Sequence, residues 1–165
     1  MDRDDLIRRV RQYADRKGLA LGERLGAGIH GTVFAAEYQT NGGRSAVKGH
    51  ERQPAYLRER DVYLRLRAFD ITVIRGCHVP TLLDYDDDLW VIEMTVVSRP
   101  FVLDFAGANL DQEPDFSDEV LADWRAEKQD QFGPRWPEVQ AILGSLEGYG
   151  VFLLDVNPGN VSFDD

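Results

Sequence analysis

The sequence predicts an α+β fold, with a β-rich N-terminal part followed by a mostly helical C-terminal part. Glycine-punctuated runs of alternating apolar residues begin after residue 18, strand-like runs continue to about residue 95, and apolar residues recur at helical spacing after residue 117. A chain of 165 residues, 43% hydrophobic and 29% charged, has the size and composition of one globular domain. We expect a single domain over residues 1–165, divided into an N-terminal helix (1–18), a β-rich part (19–95) and a reduced helical part (96–165).

The charge and cysteine content limit the classes of partner and compartment. A formal net charge of −10 at pH 7 argues against nucleic acid and anionic membrane surfaces as partners. Cys77 is the only cysteine, which excludes an intramolecular disulfide and favours a reducing compartment. The N-terminal segment is too charged for a signal peptide. These features predict a cytoplasmic protein.

The first half of the chain contains the signals for two helices and several strands. Apolar residues at helical spacing predict a first helix that Gly18 ends, and Asn41-Gly42-Gly43 predicts a turn between two strands. Pro54 opens a second helix that extends to about Phe69. The strands that follow form a hairpin with the acidic residues 86–88 at its tip.

Two more helices are predicted in the second half. Ser117 is a suitable N-cap for a helix whose apolar face carries Val120, Leu121 and Trp124. Pro137 fits the first turn of the next helix. Its inward face is formed by residues at helical spacing: Val139, Ile142, Leu143 and Leu146.

A glycine-rich segment, LGAGIHGTVF, is the first candidate binding motif. Gly26, Gly28 and Gly31 have G-x-G-x-x-G spacing, and glycines let backbone N–H groups approach a polyphosphate closely. Strand residues follow the glycines, which favours a hairpin over the strand-to-helix turn of a dinucleotide fold. Glycines that serve only the hairpin are the alternative, and we expect His30 at the tip to be exposed to solvent.

Lys48 and Glu59 are the second candidate motif. Lys48 ends an apolar strand beside the glycine hairpin, where a cation could hold phosphate oxygens. Glu59 shares a helical stripe with Val62, Leu66 and Phe69, so we expect its side chain to face inward. A buried acid normally needs a cationic partner, and Lys48 is the obvious one. Exposure of Glu59 at the edge of the stripe is the alternative.

The run VFLLDVNPGN is the third candidate motif. It delivers Asp155 and Asn160, five positions apart, into one loop after an apolar strand. An acid and an amide at this spacing suggest a proton acceptor and a metal ligand, although a simple turn made of turn-forming residues is the alternative.

Taken in order, these motifs resemble the protein kinase-like family, including its aminoglycoside phosphotransferase and lipopolysaccharide kinase relatives. The matching segments are LGAGIHGTV as glycine-rich loop, AVK with its lysine, RERDVYLRL with the helix acid, WVIEMT as the hinge between lobes and DVNPGN as the catalytic loop. The resemblance implies a kinase-like fold, with a β-rich N-terminal lobe and a minimal helical C-terminal lobe.

The resemblance also implies roles for individual residues around ATP and Mg²⁺. Gly26, Gly28, Gly31 and Lys48 would hold the phosphates, and Glu59 would orient Lys48. The adenine would be covered by Val33 and Ala46, and its edge would bond to the main chain of Glu93 and Thr95 in front of the gatekeeper Ile92. Asp155 would accept the proton of an attacking hydroxyl, and Asn160 would bind Mg²⁺.

The sequence departs from the family pattern at two places. Leu153 replaces the usual histidine two positions before the catalytic acid. The family continues past the asparagine to a D-F-G motif, whose acid is the main Mg²⁺ ligand, and to a platform for protein substrates, whereas five residues follow Asn160 here. We expect a reduced C-terminal lobe.

Asp104 in FVLDFAGANL is the candidate replacement for the missing acid. The segment looks like a D-F-G region displaced ahead of the catalytic loop, and residues 100–103 could pair with residues 161–163 and bring Asp104 to the metal site. An ordinary turn or cap at Asp104 is the alternative, with Asp164 and Asp165 as second-choice ligands.

Two classes of function follow. As an enzyme, the protein would transfer the γ-phosphoryl of Mg-ATP to a hydroxyl of an unknown substrate. As a pseudokinase, it would bind nucleotide or a protein partner without catalysis. A third possibility is that the chain is a fragment, with the missing lobe supplied by a partner or a second copy.

Overall fold

The computed structural model describes residues 3–164. These residues form helices and short strands in a mixed order: α1 (Arg3–Lys17), β1 (Leu19–Ala27), β2 (Gly31–Tyr38), β3 (Arg44–His50), α2 (Gln53–Ala68), β4 (Val73–Ile74), β5 (Cys77–His78), β6 (Leu82–Asp86), β7 (Val91–Met94), β8 (Phe101–Val102), β9 (Asn109–Leu110), α3 (Asp118–Phe132), a 3₁₀ turn (Gly133–Arg135), α4 (Trp136–Glu147), β10 (Val151–Phe152) and β11 (Val161–Ser162). The predicted α+β class is confirmed.

A five-stranded antiparallel sheet, in the order β1-β2-β3-β7-β6, forms the N-terminal part. Its middle strand, β3, pairs with β2 on one side and β7 on the other, so that Val33 and Ile92 both lie opposite Lys48. The glycine-rich turn is the connection between β1 and β2. The sheet therefore places the hairpin, the lysine and the segment 91–94 side by side.

Each face of this sheet is covered by a different helix. The alternation of side chains along a strand sends Val47 and Val91 to the outer face, where they pack with Leu6, Val10 and Tyr13 of α1. Their neighbours Ala46 and Ile92 face inward, where they pack with residues of α2 such as Val62 and Leu66. The inner cluster continues into α4 and β10, so one core connects the two parts of the molecule.

Two small sheets lie outside the five-stranded sheet. One is the pair β10–β9, and the other has the order β11-β8-β5-β4. Strand β8 pairs antiparallel with β11, with Val102 opposite Val161 and Phe101 opposite Ser162. The predicted pairing of residues 100–103 with residues 161–163 is confirmed at these positions.

Most local predictions agree with the structure. Gly18, with φ of +68°, follows the last residue of α1, and the Ser117 hydroxyl accepts a hydrogen bond from the Val120 N–H at the start of α3. The four inward residues predicted for α4 are buried. Cys77, the single cysteine, is buried.

The inward position predicted for Phe69 is wrong. Phe69 is 59% exposed because α2 ends at Ala68 and the ring packs against Tyr149 at the surface instead. The apolar face predicted for α3 is only partly covered. Val120 on that face is 49% exposed, and the buried residues of the helix, Lys128 and Phe132, lie nearer its C-terminal end.

Among residues 3–164 there is no helix with the length and apolar character needed to cross a membrane.

The contact between α1 and β3 leaves no room for a side chain at Gly49. A Cβ built there would lie 2.5 Å from Cγ2 of Val10 and 3.0 Å from Cδ2 of Leu6. We expect Gly49→Ala to lower the free energy of unfolding by about 1–3 kcal/mol, the usual cost of overpacking a core. Urea unfolding measures it.

Gly144→Ala is the matched control, because a Cβ at this helical position meets nothing within 4 Å. Alanine there should raise stability by about 0.5–1 kcal/mol through helix propensity. Equal stability of the two variants would contradict the tight packing of α1 on β3.

Candidate functional site

A buried lysine lies between two carboxylates at the inner face of β3. The Nζ of Lys48 lies 2.7 Å from Oε1 of Glu59 on α2 and 3.1 Å from Oδ1 of Asp104, which follows β8. The side chains of Lys48 and Glu59 are 7% and 1% exposed, whereas that of Asp104 is 32% exposed. The predicted pairing of Lys48 with an inward-facing Glu59 is confirmed. Asp104 contacts Lys48 as well, from the side that is accessible to solvent.

Glu59 has two further hydrogen-bonding contacts besides the one with Lys48. Its Oε1 also lies 2.8 Å from Nε2 of His50, and its Oε2 accepts a hydrogen bond of 2.6 Å from the Phe105 N–H. Burial by itself would raise the pKa of Glu59, but the charge of Lys48 and the hydrogen bond from His50 outweigh it and lower this pKa from 4.5 to about 2. Glu59 is therefore ionised at neutral pH.

The pKa of Lys48 is shifted by the same contacts. Burial would lower it, but Glu59 and Asp104 outweigh the loss of hydration and raise the pKa above its ordinary value. Lys48 is therefore a permanent cation held by two negative groups.

The pairing of β8 with β11 places Asp104 beside the loop of Asn160. The Leu103 N–H donates to the Asn160 carbonyl at 2.9 Å, one residue before Asp104. Asp104 itself has φ of +71°, in the left-handed region that few non-glycine residues adopt. A side chain at Gly107 would lie 3.0 Å from Cβ of Asp155, so this glycine permits the segment after Asp104 to pack against the acid.

The loop from Asp155 to Asn160 is shaped by its own amide. The Oδ1 of Asn160 accepts from the Asn157 N–H at 2.9 Å, and its Nδ2 donates to the Asp155 carbonyl at 3.2 Å. Asn160 is buried, whereas the Asp155 side chain is 50% exposed. The asparagine orders the loop and leaves the carboxylate accessible.

Helix α3 supports this loop from behind. The ammonium of Lys128, which is buried, donates to the Val156 carbonyl at 2.6 Å, and the Trp124 indole N–H donates to the Leu154 carbonyl at 3.1 Å. These two bonds flank Asp155 on either side along the chain. Trp124 of the predicted apolar face and Lys128, which was not predicted, thus hold the loop in place through its backbone.

The glycines of the hairpin have different structural roles. Gly31 allows close approach of the strands, because a Cβ there would lie 2.2 Å from the Gly49 carbonyl oxygen. A Cβ at Gly26 or Gly28 would meet nothing within 4 Å in the described part of the chain, and neither residue has a positive φ. Packing therefore requires glycine at position 31, whereas neither packing nor backbone conformation requires it at positions 26 and 28.

The expected exposure of His30 is wrong. Its side chain is only 21% exposed, and Nε2 lies 3.5 Å from Oδ2 of Asp155, because the hairpin tip folds over the loop. The two ends of the candidate site, separated by 125 residues in sequence, meet at this contact.

The apolar residues expected around an adenine lie together on the inner face of the sheet. Val33, Ala46 and Ile92 belong to neighbouring strands and pack on the inner cluster. The Glu93 side chain points the other way and accepts hydrogen bonds from the hydroxyls of Tyr13, at 2.8 Å, and Tyr38.

The Thr95 N–H donates to the Thr81 carbonyl at 2.9 Å. An adenine would have to compete for this N–H. The role predicted for its main chain therefore stays a prediction.

Two contributors to the site were not predicted from the sequence. His50 lies two positions after Lys48, so the alternation of a strand places it on the same face, which is a signal that was available. The contact of the Phe105 N–H with Glu59 had no signal in the sequence, because every residue except proline has a backbone N–H and only the path of the chain shows which one lies near Glu59.

The donor set fits a magnesium ion only in part. Among residues 3–164 no three His, Cys, Asp or Glu side chains are placed to hold one metal ion. The Asp104 carboxylate is of the type that Mg²⁺ prefers. The Asn160 side chain is buried, and its oxygen already accepts from the Asn157 N–H. The metal role of these two residues stays a prediction.

No family model matches the sequence, and no curated protein matches it either.

Glu59→Gln tests the buried cluster. Because the pKa of Glu59 is lowered on folding, its ionised form stabilises the protein above about pH 4.5, and this stabilisation is lost as the pH falls toward 2. We expect the variant to lose about 3–5 kcal/mol of unfolding free energy at pH 7, since it leaves Lys48 without its principal counter-charge. The loss should shrink as the pH is lowered below 4.5. Urea unfolding at several pH values measures both.

Glu138→Gln is the control, because Glu138 pairs with Arg135 at the surface, where the Arg135 side chain is 47% exposed and that of Glu138 is 54% exposed. It should cost less than about 1 kcal/mol. A pH-independent loss in Glu59→Gln would show that the ionised carboxylate is not the stabilising form.

Proposed function

We propose that this protein binds Mg-ATP and transfers its γ-phosphoryl group to a hydroxyl of a substrate, as a kinase-like protein with a reduced C-terminal lobe. The observation that carries the proposal is the convergence of Lys48, Glu59 and Asp104, with the β8–β11 pairing that sets Asp104 next to Asn160.

The placement of the charged residues supports a kinase-like arrangement. In protein kinases a lysine on the third strand pairs with a glutamate on the helix that follows. Here Lys48 lies on β3 and Glu59 on α2, with the ion pair formed. The glycine hairpin of β1 and β2 adjoins the lysine strand, as a loop covering phosphates would.

The open positions in the hairpin support nucleotide binding. Gly26 and Gly28 have no backbone angle or described neighbour that requires glycine. Absence of side chains at these positions would let the backbone N–H groups of the turn approach phosphate oxygens. In this proposal Val33, Ala46 and Ile92 enclose the adenine.

Asp155 is the proton acceptor in the proposed reaction. The substrate oxygen forms a bond to the γ-phosphorus while the bond to the β–γ bridging oxygen breaks, ADP leaves, and the hydroxyl proton passes to Asp155. Lys48 moves from Asp104 to phosphate oxygens, and Asp104 and Asn160 would hold Mg²⁺. The metal would neutralise charge on the phosphates when bound.

Two contacts favour the pseudokinase alternative. His30 lies against Asp155, and the Thr95 N–H is engaged by Thr81. Both must rearrange before a substrate and an adenine can occupy the predicted places. A partner-binding protein without catalysis would tolerate both contacts, and a nucleotide-binding one would tolerate the contact of His30 with Asp155.

Calorimetric titration of ATP, with Mg²⁺ and with a chelator, tests the binding proposal. We expect Mg²⁺-dependent binding to the wild-type protein and a loss of about tenfold or more in affinity with Mg²⁺ for Asp104→Asn, because the ion loses its carboxylate. The affinity of Asp104→Asn should no longer respond to the metal.

Asp164→Asn is the matched control, since Asp164 is an exposed acid close to the same loop in sequence. Loss of Mg²⁺ dependence in Asp164→Asn alone would move the metal acid to the C-terminal segment. Binding indifferent to Mg²⁺ in all variants would leave a nucleotide-binding pseudokinase, and absence of binding would refute the nucleotide site.

Asp155→Asn tests catalysis without knowledge of the substrate, because water can replace the hydroxyl as acceptor. We expect the release of ADP from Mg-ATP to fall about 10²- to 10⁴-fold, the range for a lost general base, with unchanged ATP affinity. Equal ADP release by both proteins would exclude Asp155 as the proton acceptor.

A further inference from the structure

His50 is a fully buried histidine between the candidate site and helix α1. Its Nε2 lies 2.8 Å from Oε1 of Glu59, and its Nδ1 lies 3.1 Å from the Trp90 carbonyl oxygen. The edge of the ring packs against Tyr56 of α2, with 5.5 Å between the ring centroids. The described contacts thus fix both the position and the plane of the ring.

Both ring nitrogens face atoms that only accept hydrogen bonds. A neutral imidazole carries one N–H and would leave one of these contacts without a proton, whereas an imidazolium donates from both nitrogens. The charges of the cluster lead to the same assignment. Glu59 and Asp104 are two acids around one lysine, and a positive His50 balances them in a region where unpaired charge is costly.

Helix α1 secures the backbone that carries this histidine. The Arg9 guanidinium donates to the His50 carbonyl at 2.8 Å and to the Leu89 carbonyl at 2.6 Å. It also lies over the Trp90 ring, 4.9 Å from its centroid. Since the Trp90 carbonyl faces the His50 ring, α1 holds the His50 backbone and one of the two residues that orient the imidazole.

We propose that His50 is a positioning residue that, as an imidazolium, holds Glu59 in place together with Lys48 while Lys48 turns from Asp104 to the phosphates of a nucleotide. The inference rests on the proposed nucleotide site, in which Lys48 exchanges Asp104 for phosphate oxygens and keeps its contact with Glu59. The groups that face His50 are Lys48 of its own strand, Glu59 and Tyr56 of α2, and Arg9 of α1 at its carbonyl. Glu59 then has a second contact on β3 besides Lys48.

Nuclear magnetic resonance of ¹⁵N-histidine-labelled protein tests the protonation of His50 without any nucleotide. The chain has three histidines, and the His50→Gln spectrum identifies the signal that belongs to His50. We expect protons on both Nδ1 and Nε2 at pH 7, with slow exchange because the ring is buried. A ring protonated on one nitrogen would overturn the assignment.

Calorimetry with Mg-ATP tests the positioning role. We expect His50→Leu to weaken Mg-ATP binding about tenfold, within the coupling range of contacting residues, and His50→Gln to recover part of it through an amide donor toward Glu59. The exposed His78 gives the control His78→Gln, which should bind like the wild type. Wild-type affinity in a folded His50→Leu protein would overturn the role.

A cycle of His50→Gln, Glu59→Gln and the double variant separates this inference from the proposed function. Non-additive shifts of the urea midpoint would support the coupling of His50 to Glu59 even if the wild-type protein bound no ATP. Additive shifts would refute the coupling even if nucleotide binding were demonstrated.

Discussion

The buried ion pair between Lys48 and Glu59 is the interaction on which the rest of the site depends. An ammonium group in the interior is stable only with its counter-charge close by, and the 2.7 Å contact with Glu59 joins β3 to α2 at that point. The cation in turn attracts Asp104, which arrives from a distant part of the chain. The electrostatic requirement of one lysine thus brings together the sheet, the helix and the segment after β8.

The two faces of β3 have complementary functions. The inner face presents charged groups, while the outer face packs α1 so closely that only glycine fits at position 49. Arg9 reaches from α1 to the end of the strand and bonds to the His50 carbonyl. Helix α1, on the outer face of the sheet, therefore restrains β3. This strand carries Lys48 and His50, the two residues whose side chains contact Glu59.

The loop of Asp155 depends on a second set of constraints. Its amide, Asn160, closes the turn, Lys128 binds the Val156 carbonyl from α3, and Gly107 allows the neighbouring segment to lie against Asp155. The short pairing of β8 with β11 joins this loop to Asp104. The half-exposed Asp155 and the Asp104 carboxylate at the buried lysine are the two acids that the proposed phosphoryl transfer would use.

The sequence by itself determined the strands and helices, the turn glycines and the pairing of Lys48 with Glu59, because local periodicity sets which side chains share a face and a buried acid needs a cation. The pairing of residues 100–103 with residues 161–163 was predicted from the resemblance of these segments to the kinase-like family, and it forms at residues 101–102 and 161–162. Only the tertiary structure decided that His50 shares Glu59 and that His30 meets Asp155. Such contacts join residues far apart in sequence, and their geometry is set by how the strands, helices and loops pack.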